Sequence, residues 1–168
     1  LTERFQMMAF LNRGLAIQFT DLRPGHDPAP EEFHYQGGII DFVRHLNAAK
    51  ESLFSDVGYF EGADEEQEVE IAFLWNTGFN DGIHSFANGI NTVEGGTHEE
   101  GFKAALTSAV NKYARAKQQL KEKDPNLAGE DIREGITAII SVKLRDPQFE
   151  GQTKAKLGNT SMKTLVQK

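Results

Sequence analysis

Ile136, Ala138, Ile140, Val142 and Leu144 alternate with Thr137, Ile139, Ser141 and Lys143. Successive side chains of a strand point to opposite faces, so this period of two gives one fully apolar face. Ile139 carries apolar character onto the other face as well. A strand of that kind has to lie centrally in a well-covered sheet, which commits the chain to a layered fold. Asp146-Pro147 stops it, because proline cannot donate to a ladder.

The other segments supply the layers. Phe5, Met8 and Leu11 recur at three-residue spacing and predict a short helix over residues 1–12. Leu15, Ile17 and Phe19 alternate with polar neighbours as a half-buried strand, and Phe33-His34-Tyr35 resumes its pairing. Pro24, Gly25, Pro28 and Pro30 mark an exposed tip between them. Gly37-Gly38 leads into a helix with Ile39, Ile40, Phe42, Val43 and Leu46 on one face and Asp41 near its start, where the helix dipole favours an acid. Val57 to Phe60 is a short strand. Val69, Ile71, Phe73 and Trp75 alternate, which packs one face of a strand on the core. Ile83 to Ala87 returns from the turn at residues 78–82, so these three strands are expected to form an antiparallel meander. Thr97-His98-Glu99-Glu100 has the form of a capping box. It opens a long helix with Phe102, Leu106, Ala109, Tyr113, Ala116 and Leu120 as its apolar stripe, ended by Asp124-Pro125-Asn126. A short helix around Glu130-Asp131-Ile132-Arg133 follows. The expected fold is α+β: a mostly antiparallel sheet of four or more strands, with helices mainly on one face.

Charge and composition narrow the chemistry. The 168 residues carry 25 acids against 18 Lys plus Arg, a net charge of −7, which excludes a generic nucleic-acid binder with one broad positive face. Cysteine is absent, so no disulfide framework, thiolate metal site or cysteine nucleophile exists. No apolar run approaches the ~18 residues of a membrane span, and no signal peptide is visible. The opening Leu1-Thr2 and the helix-like end from Ser161 to Lys168 read as the ends of an excised piece.

Candidate sites are few. Six acids between Glu61 and Glu70 read as a solvated turn, since nothing gathers them around one point. The five histidines have no ligand-like spacing. Gly95-Gly96 could aim amides at an anion, although two glycines before a helix are ordinary turn chemistry. Residues 151–168 differ from the rest, with four Lys and no acid. Gln152-Thr153-Lys154 could grasp phosphate, the amide donating a hydrogen bond and the ammonium a point charge. On composition alone, solvated surface is the simpler reading of that tail.

The sequence Gln152-Thr153-Lys154-x-Lys156-Leu157, preceded by Asp146-Pro147-x-Phe149, resembles the end of the transducer domain in the DNA gyrase B family. Phe10-Leu11-Asn12-x-Gly14, Phe33-His34-Tyr35-x-Gly37-Gly38, Asn91-Thr92-x-Glu94-Gly95-Gly96-Thr97-His98-x-x-Gly101-Phe102 and Asp131-Ile132-Arg133-Glu134-Gly135 match in order. The ParE subunit of topoisomerase IV shares these motifs. Asp124-Pro125-Asn126-Leu127 and the long helix lean toward gyrase.

The resemblance implies a fold like the second domain of a ribosomal protein, with a left-handed β-α-β crossover. It implies that residues 1–12 end a linker from an ATP-binding domain, 13–160 form the transducer and 161–168 start a helix toward the DNA-cleavage region. Carried over, Gln152 and Lys154 contact the γ-phosphate of ATP, while the adenine pocket, the Mg²⁺ ligand and the water-activating glutamate belong to an adjacent GHKL ATPase domain. No catalytic or metal-binding residue is expected in this chain, and alone it is expected to be inactive. Lys103 stands where gyrases elsewhere place an arginine facing the cavity for transported DNA; lysine keeps the charge and loses the planar fork. The implied partners are that ATPase domain, the gyrase A protein, double-stranded DNA and a second copy of gyrase B, in the cytoplasm and with no membrane. The alternatives from other classes are a stand-alone RNA-binding domain of the same fold, disfavoured by the net negative charge, and a small-molecule enzyme, for which no acid/base pair has supporting spacing.

Overall fold

The computed structural model describes all 168 residues. Its five-stranded sheet is built on β7 (Ile136–Leu144), which has β4 (Gln67–Trp75) on one side and β5 (Gly82–Ala87) on the other. The full order is β3-β4-β7-β5-β6, with β3 spanning Gly58–Ala63 and β6 spanning Ile90–Asn91. β7 is central as expected, since it can be covered on both faces without exposing apolar surface.

The expected meander does not form. β3 and β4 are an antiparallel hairpin, but β7 inserts between β4 and β5 and pairs antiparallel with the first and parallel with the second. The sheet is therefore mixed. β5 and β7 are joined by a crossover through α3 (Thr97–Ala116) and the short α4 (Gly129–Arg133). β7 takes the centre between β4 and β5, and every residue of it except Lys143 is buried.

Helices cover both faces rather than mainly one. Val69, Ile71, Ile136, Ala138, Ile140 and Val142 pack beneath Phe102 of α3 and beneath Met162 and Val166 of α5 (Thr160–Gln167). Ala72, Leu74, Phe86 and Ile139 face Phe10 of α1 (Thr2–Leu11) and Phe42 and Val43 of α2 (Ile39–Leu46). Strand β4 thus packs both its faces, not one. β1 (Ala16–Phe19) and β2 (Glu31–His34) form a separate antiparallel hairpin beside α1.

Three further local expectations are overturned. The acidic stretch is largely strand: Glu61 lies opposite Glu70 across β3 and β4, and the Tyr59 hydroxyl stands 2.7 Å from Glu70 and 3.0 Å from Glu61. Burial and these carboxylates push the Tyr59 phenol well above its usual range. The capping box is absent. Gly96 holds the N-cap position, so Thr97 lies already inside the helix with its hydroxyl buried and unpaired, and Glu100 turns to Lys163 instead. Finally, α3 ends at Ala116, and its apolar stripe fails beyond Leu106. Tyr113 is 65% exposed while Asn111 and Ala114 are buried. The outer half of α3 leaves the sheet and packs against the returning chain, where Asn111 exchanges two hydrogen bonds with the Leu127 backbone and Arg115 donates to the Lys121 and Asp124 carbonyls.

Candidate functional site

Past β7 the chain folds into a narrow hairpin over residues 148–158. The Glu150 amide donates to the Lys156 carbonyl at 2.8 Å, and the Gly158 amide to the Gln148 carbonyl at 2.7 Å. Asn159 closes its foot, accepting from the Gln148 amide and donating to the Asp146 carbonyl. Its tip, residues 151–154, is wholly exposed.

The tip turns on two left-handed residues, of which only the lysine is strained. Gly151 has φ +79° and Lys154 has φ +55°. A left-handed lysine costs roughly 1–2 kcal/mol relative to an ordinary backbone, so it persists only where its surroundings over-determine it. Lys154 makes no ion pair, whereas Lys156 lies 3.2 Å from Glu150. The two lysines are thus chemically distinct: one cation is free to meet an anion and the other already has one. Gln152 is exposed beside Lys154, its amide unbonded within the chain.

The base of the hairpin is as rigid as its tip is open. Leu157 is fully buried in the α3 core, and Ala155 is buried beside it. Their backbone pairs with the segment before α3. The Glu94 amide donates to the Ala155 carbonyl at 2.9 Å, the Leu157 amide to the Gly95 carbonyl at 3.1 Å, and the Thr97 amide to the Leu157 carbonyl at 3.0 Å. Gly96, at φ +134°, permits this approach, since a Cβ there would overlap the Leu157 backbone. The glycine pair therefore clamps the hairpin, and a carbonyl of the chain itself occupies the N-terminus of α3. Periodicity could not reveal this, because the partners lie about sixty positions apart and neither segment is a regular strand.

Lys103 lies in the second turn of α3, 35% exposed, with its ammonium 2.7 Å from Glu99 Oε1. It lines an open hollow with Lys112 and Arg115 of α3, Arg133 of α4 and Lys163 of α5. On a helical wheel the α3 bases form no single band; α4 and α5 complete one. Arg115 is committed to backbone carbonyls of the return loop, so its charge is fixed in place.

Behind Lys103 runs a buried polar chain that sequence patterns do not reveal. Glu99 Oε2 accepts from Ser85 Oγ at 2.9 Å, Ser85 Oγ lies 2.8 Å from Thr92 Oγ1, and Thr92 Oγ1 lies 3.0 Å from His98 Nε2. Burial lowers the His98 pKa to about 4, so the ring is neutral near pH 7. Its Nδ1 is buried without a partner. Protonated on Nε2, the ring leaves only a lone pair unsatisfied rather than an N–H, the cheaper arrangement.

The chain offers a phosphate two exposed donors, Gln152 and Lys154, and offers a metal ion no cluster of three or more His, Asp or Glu. The donor set fits phosphate oxygens and does not fit Mg²⁺. No helix is long and apolar enough to cross a membrane.

The chain is similar to known proteins along its whole length. The family model for DNA gyrase B matches residues 38–168. The DNA gyrase B protein of Streptomyces coelicolor is 56% identical over the whole chain, and that of Mycobacterium tuberculosis is 50% identical. The chain spans only 27% and 29% of those two relatives. Among solved structures, the 43K ATPase domain of Thermus thermophilus gyrase B, in complex with an aminocoumarin, superposes with a TM-score of 0.86 at 38% identity, covering 99% of this chain and 44% of that one. The topoisomerase IV ATP-binding domain of Francisella tularensis shares the fold, with a TM-score of 0.77 at 23% identity over 99% of this chain and 44% of that one. A matching family model over most of the length, and a fold shared from end to end, place the chain in the DNA gyrase B family.

Proposed function

We propose that this chain is the transducer domain of a DNA gyrase B protein, converting the nucleotide state of an adjoining GHKL ATPase domain into movement of DNA gates and negative supercoiling. In this reading residues 1–12 end the linker from that domain, 13–160 are the transducer and 161–168 begin the helix toward the DNA-cleavage region. The β5–α3–β7 connection is the family's left-handed crossover. Gln152 and Lys154 reach the γ-phosphate of ATP, which the other domain holds with Mg²⁺. Double-stranded DNA meets Lys103, and the protein partners are gyrase A and a second copy of gyrase B, in the cytoplasm. The ParE subunit of topoisomerase IV is the alternative; the relatives at 50% identity and above favour gyrase.

The observation that carries the reading is Lys154 itself: an exposed, unpaired cation on a left-handed backbone, at the tip of a hairpin whose base is locked into the core. The backbone that carries the lysine is set by the fold, so meeting phosphate costs the side-chain freedom alone and not that of the loop. With the phosphate bound, Lys154 ties the two domains together. Hydrolysis and phosphate release remove the partner charge, and the domains are free to change angle.

Steady-state ATPase of the full-length protein tests this. Lys154→Ala should cost about 10²–10³ in rate, the usual loss for one preorganised donor at a phosphate or oxyanion. Retention of more than about a tenth of the wild-type rate would overturn the assignment.

A further inference from the structure

Glu99 is held at both ends. One carboxylate oxygen binds the Lys103 ammonium at 2.7 Å and the other receives the Ser85 hydroxyl at 2.9 Å. Its side chain is 17% exposed. It also lies against Gly95, whose missing side chain makes the room: a Cβ there would stand 3.0 Å from Glu99 Oε2. Gly95 is the residue whose carbonyl receives the Leu157 amide. A path thus leads from Lys103 to the root of the phosphate-grasping hairpin: Lys103 pairs with Glu99, Glu99 occupies the space that Gly95 leaves by having no side chain, and Gly95 accepts from Leu157.

Resting on the transducer reading, we infer that Glu99 is a positioning residue that latches the DNA-facing helix to the Gln152–Lys154 hairpin, and that a DNA phosphate works the latch by taking Lys103 away from it. The Ser85–Thr92–His98 chain behind Glu99 holds no cation, so Lys103 is the only charge balancing the carboxylate at hydrogen-bond distance. When Lys103 turns to a phosphate, Glu99 is left half-buried and uncompensated. That state is unfavourable, and the carboxylate relieves it by moving toward solvent, away from Gly95 and Ser85. The clamp on Leu157 loosens, and the hairpin tip shifts relative to the nucleotide. Coupling between two binding equilibria is reciprocal, so a domain whose DNA affinity follows nucleotide binding also changes its nucleotide affinity with DNA occupancy; the shifted hairpin tip carries that change into the ATPase rate.

The test uses the full-length enzyme with linear double-stranded DNA as the probe. It reads the ratio of DNA-stimulated to DNA-free ATPase and, separately, the DNA dissociation constant. Glu99→Gln keeps the shape and an acceptor for Ser85 but releases Lys103. The ratio should fall about fivefold or more, the lower end of ordinary coupling. DNA binding should tighten about twofold to fivefold, because Lys103 no longer has to leave an ion pair. Lys103→Ala should lower the same ratio while weakening DNA binding. Opposite signs on binding with the same sign on coupling is a pattern that simple loss of packing does not produce. Ser85→Ala leaves the ion pair intact and cuts the other end; the ratio should fall with DNA affinity unchanged. A wild-type ratio in Glu99→Gln, or DNA binding weakened as in Lys103→Ala, would overturn the latch. If Glu99→Gln does not fold, Ser85→Ala decides alone, and a wild-type ratio there rejects the proposal. Lys154→Ala run in parallel separates the two ideas. Its full activity would sink the transducer reading, whereas its loss beside an unaltered Glu99→Gln ratio would sink only the latch.

Discussion

Two of the molecule's exposed hairpins, β1–β2 and 148–158, have charged tips built to opposite ends. In the β1–β2 hairpin the charges answer each other locally. Arg23 Nε donates to Asp21 Oδ1 at 2.9 Å, and the hydrogen bonds from Arg23 lower the Asp21 pKa to about 2. The Ala29 amide is met by Asp27. The strands beneath are only half-buried, and they belong to neither face of the large sheet. In the 148–158 hairpin the tip cation is unanswered and the root is fully buried. Exposure and charge alone therefore do not mark a binding loop. What sets the 148–158 hairpin apart is an unpaired cation on a left-handed backbone whose root is buried, the feature on which the proposed phosphate contact rests.

The strongest way to break this contrast is to exchange the lysines that composition treats alike. Against the hundredfold or greater loss expected for Lys154→Ala, Lys156→Ala should stay within a few-fold of wild-type ATPase, since its ammonium already has Glu150. Gln152→Ala should fall between them, a neutral amide giving a weaker bond than a charge-assisted one. Circular dichroism should be unchanged for all three, as the tip contributes nothing to the core. Equal losses at Lys154 and Lys156 would mean that both act as general cationic surface.

The root of the same hairpin should fail differently. Leu157→Ala removes a fully buried side chain and should cost about 2–5 kcal/mol in denaturant unfolding. Phe102→Ala should cost as much, being buried in the same cluster, while Tyr113→Ala, on the stretch of α3 that sequence alone assigned to the stripe, should cost under about 0.5 kcal/mol. A costly Tyr113→Ala would restore the continuous stripe.

His98 sharpens the comparison through pH. Its folded-state pKa, near 4, lies below the ordinary histidine value of 6.5, so the unfolded chain binds more protons between those values. Stability is then complete above about pH 6.5 and is lost as pH falls toward 4, by about 3 kcal/mol in all. His98→Gln should flatten that limb of the stability profile; an unaltered limb would assign the acid sensitivity to carboxylates. The smallest effect is expected at the other hairpin, where Arg23→Ala should leave both the unfolding midpoint and ATPase unmoved. A measurable ATPase loss there would show that the β1–β2 tip also meets a partner.

Local patterns were legible wherever the physics is local. The alternation around Ile139 placed β7 at the sheet centre. The spacing of Ile39, Phe42 and Val43 located α2, and the Pro and Gly cluster located the long β1–β2 tip. Gln152 and Lys154 were singled out through resemblance, while composition by itself favoured plain surface, and their phosphate role is a proposal that the ATPase measurements test. The Thr97 capping box failed although its spacing was right, since Leu157 fixes Gly96 as the cap and shifts the helix start by one residue.

What the chain of residues determined by itself was therefore which faces are apolar and where the backbone turns: these depend on side-chain period and on the stereochemistry of Gly and Pro, both confined to a few neighbours. Tertiary structure alone decided which strands touch, that β7 separates β4 from β5, that helices cover both faces, that Lys103, Arg133 and Lys163 share one hollow, and that Gly95 and Gly96 grip Leu157. Those outcomes are competitions among segments tens of residues apart for the same buried positions. Their result depends on the sum of burial across the whole core, which no window of sequence contains.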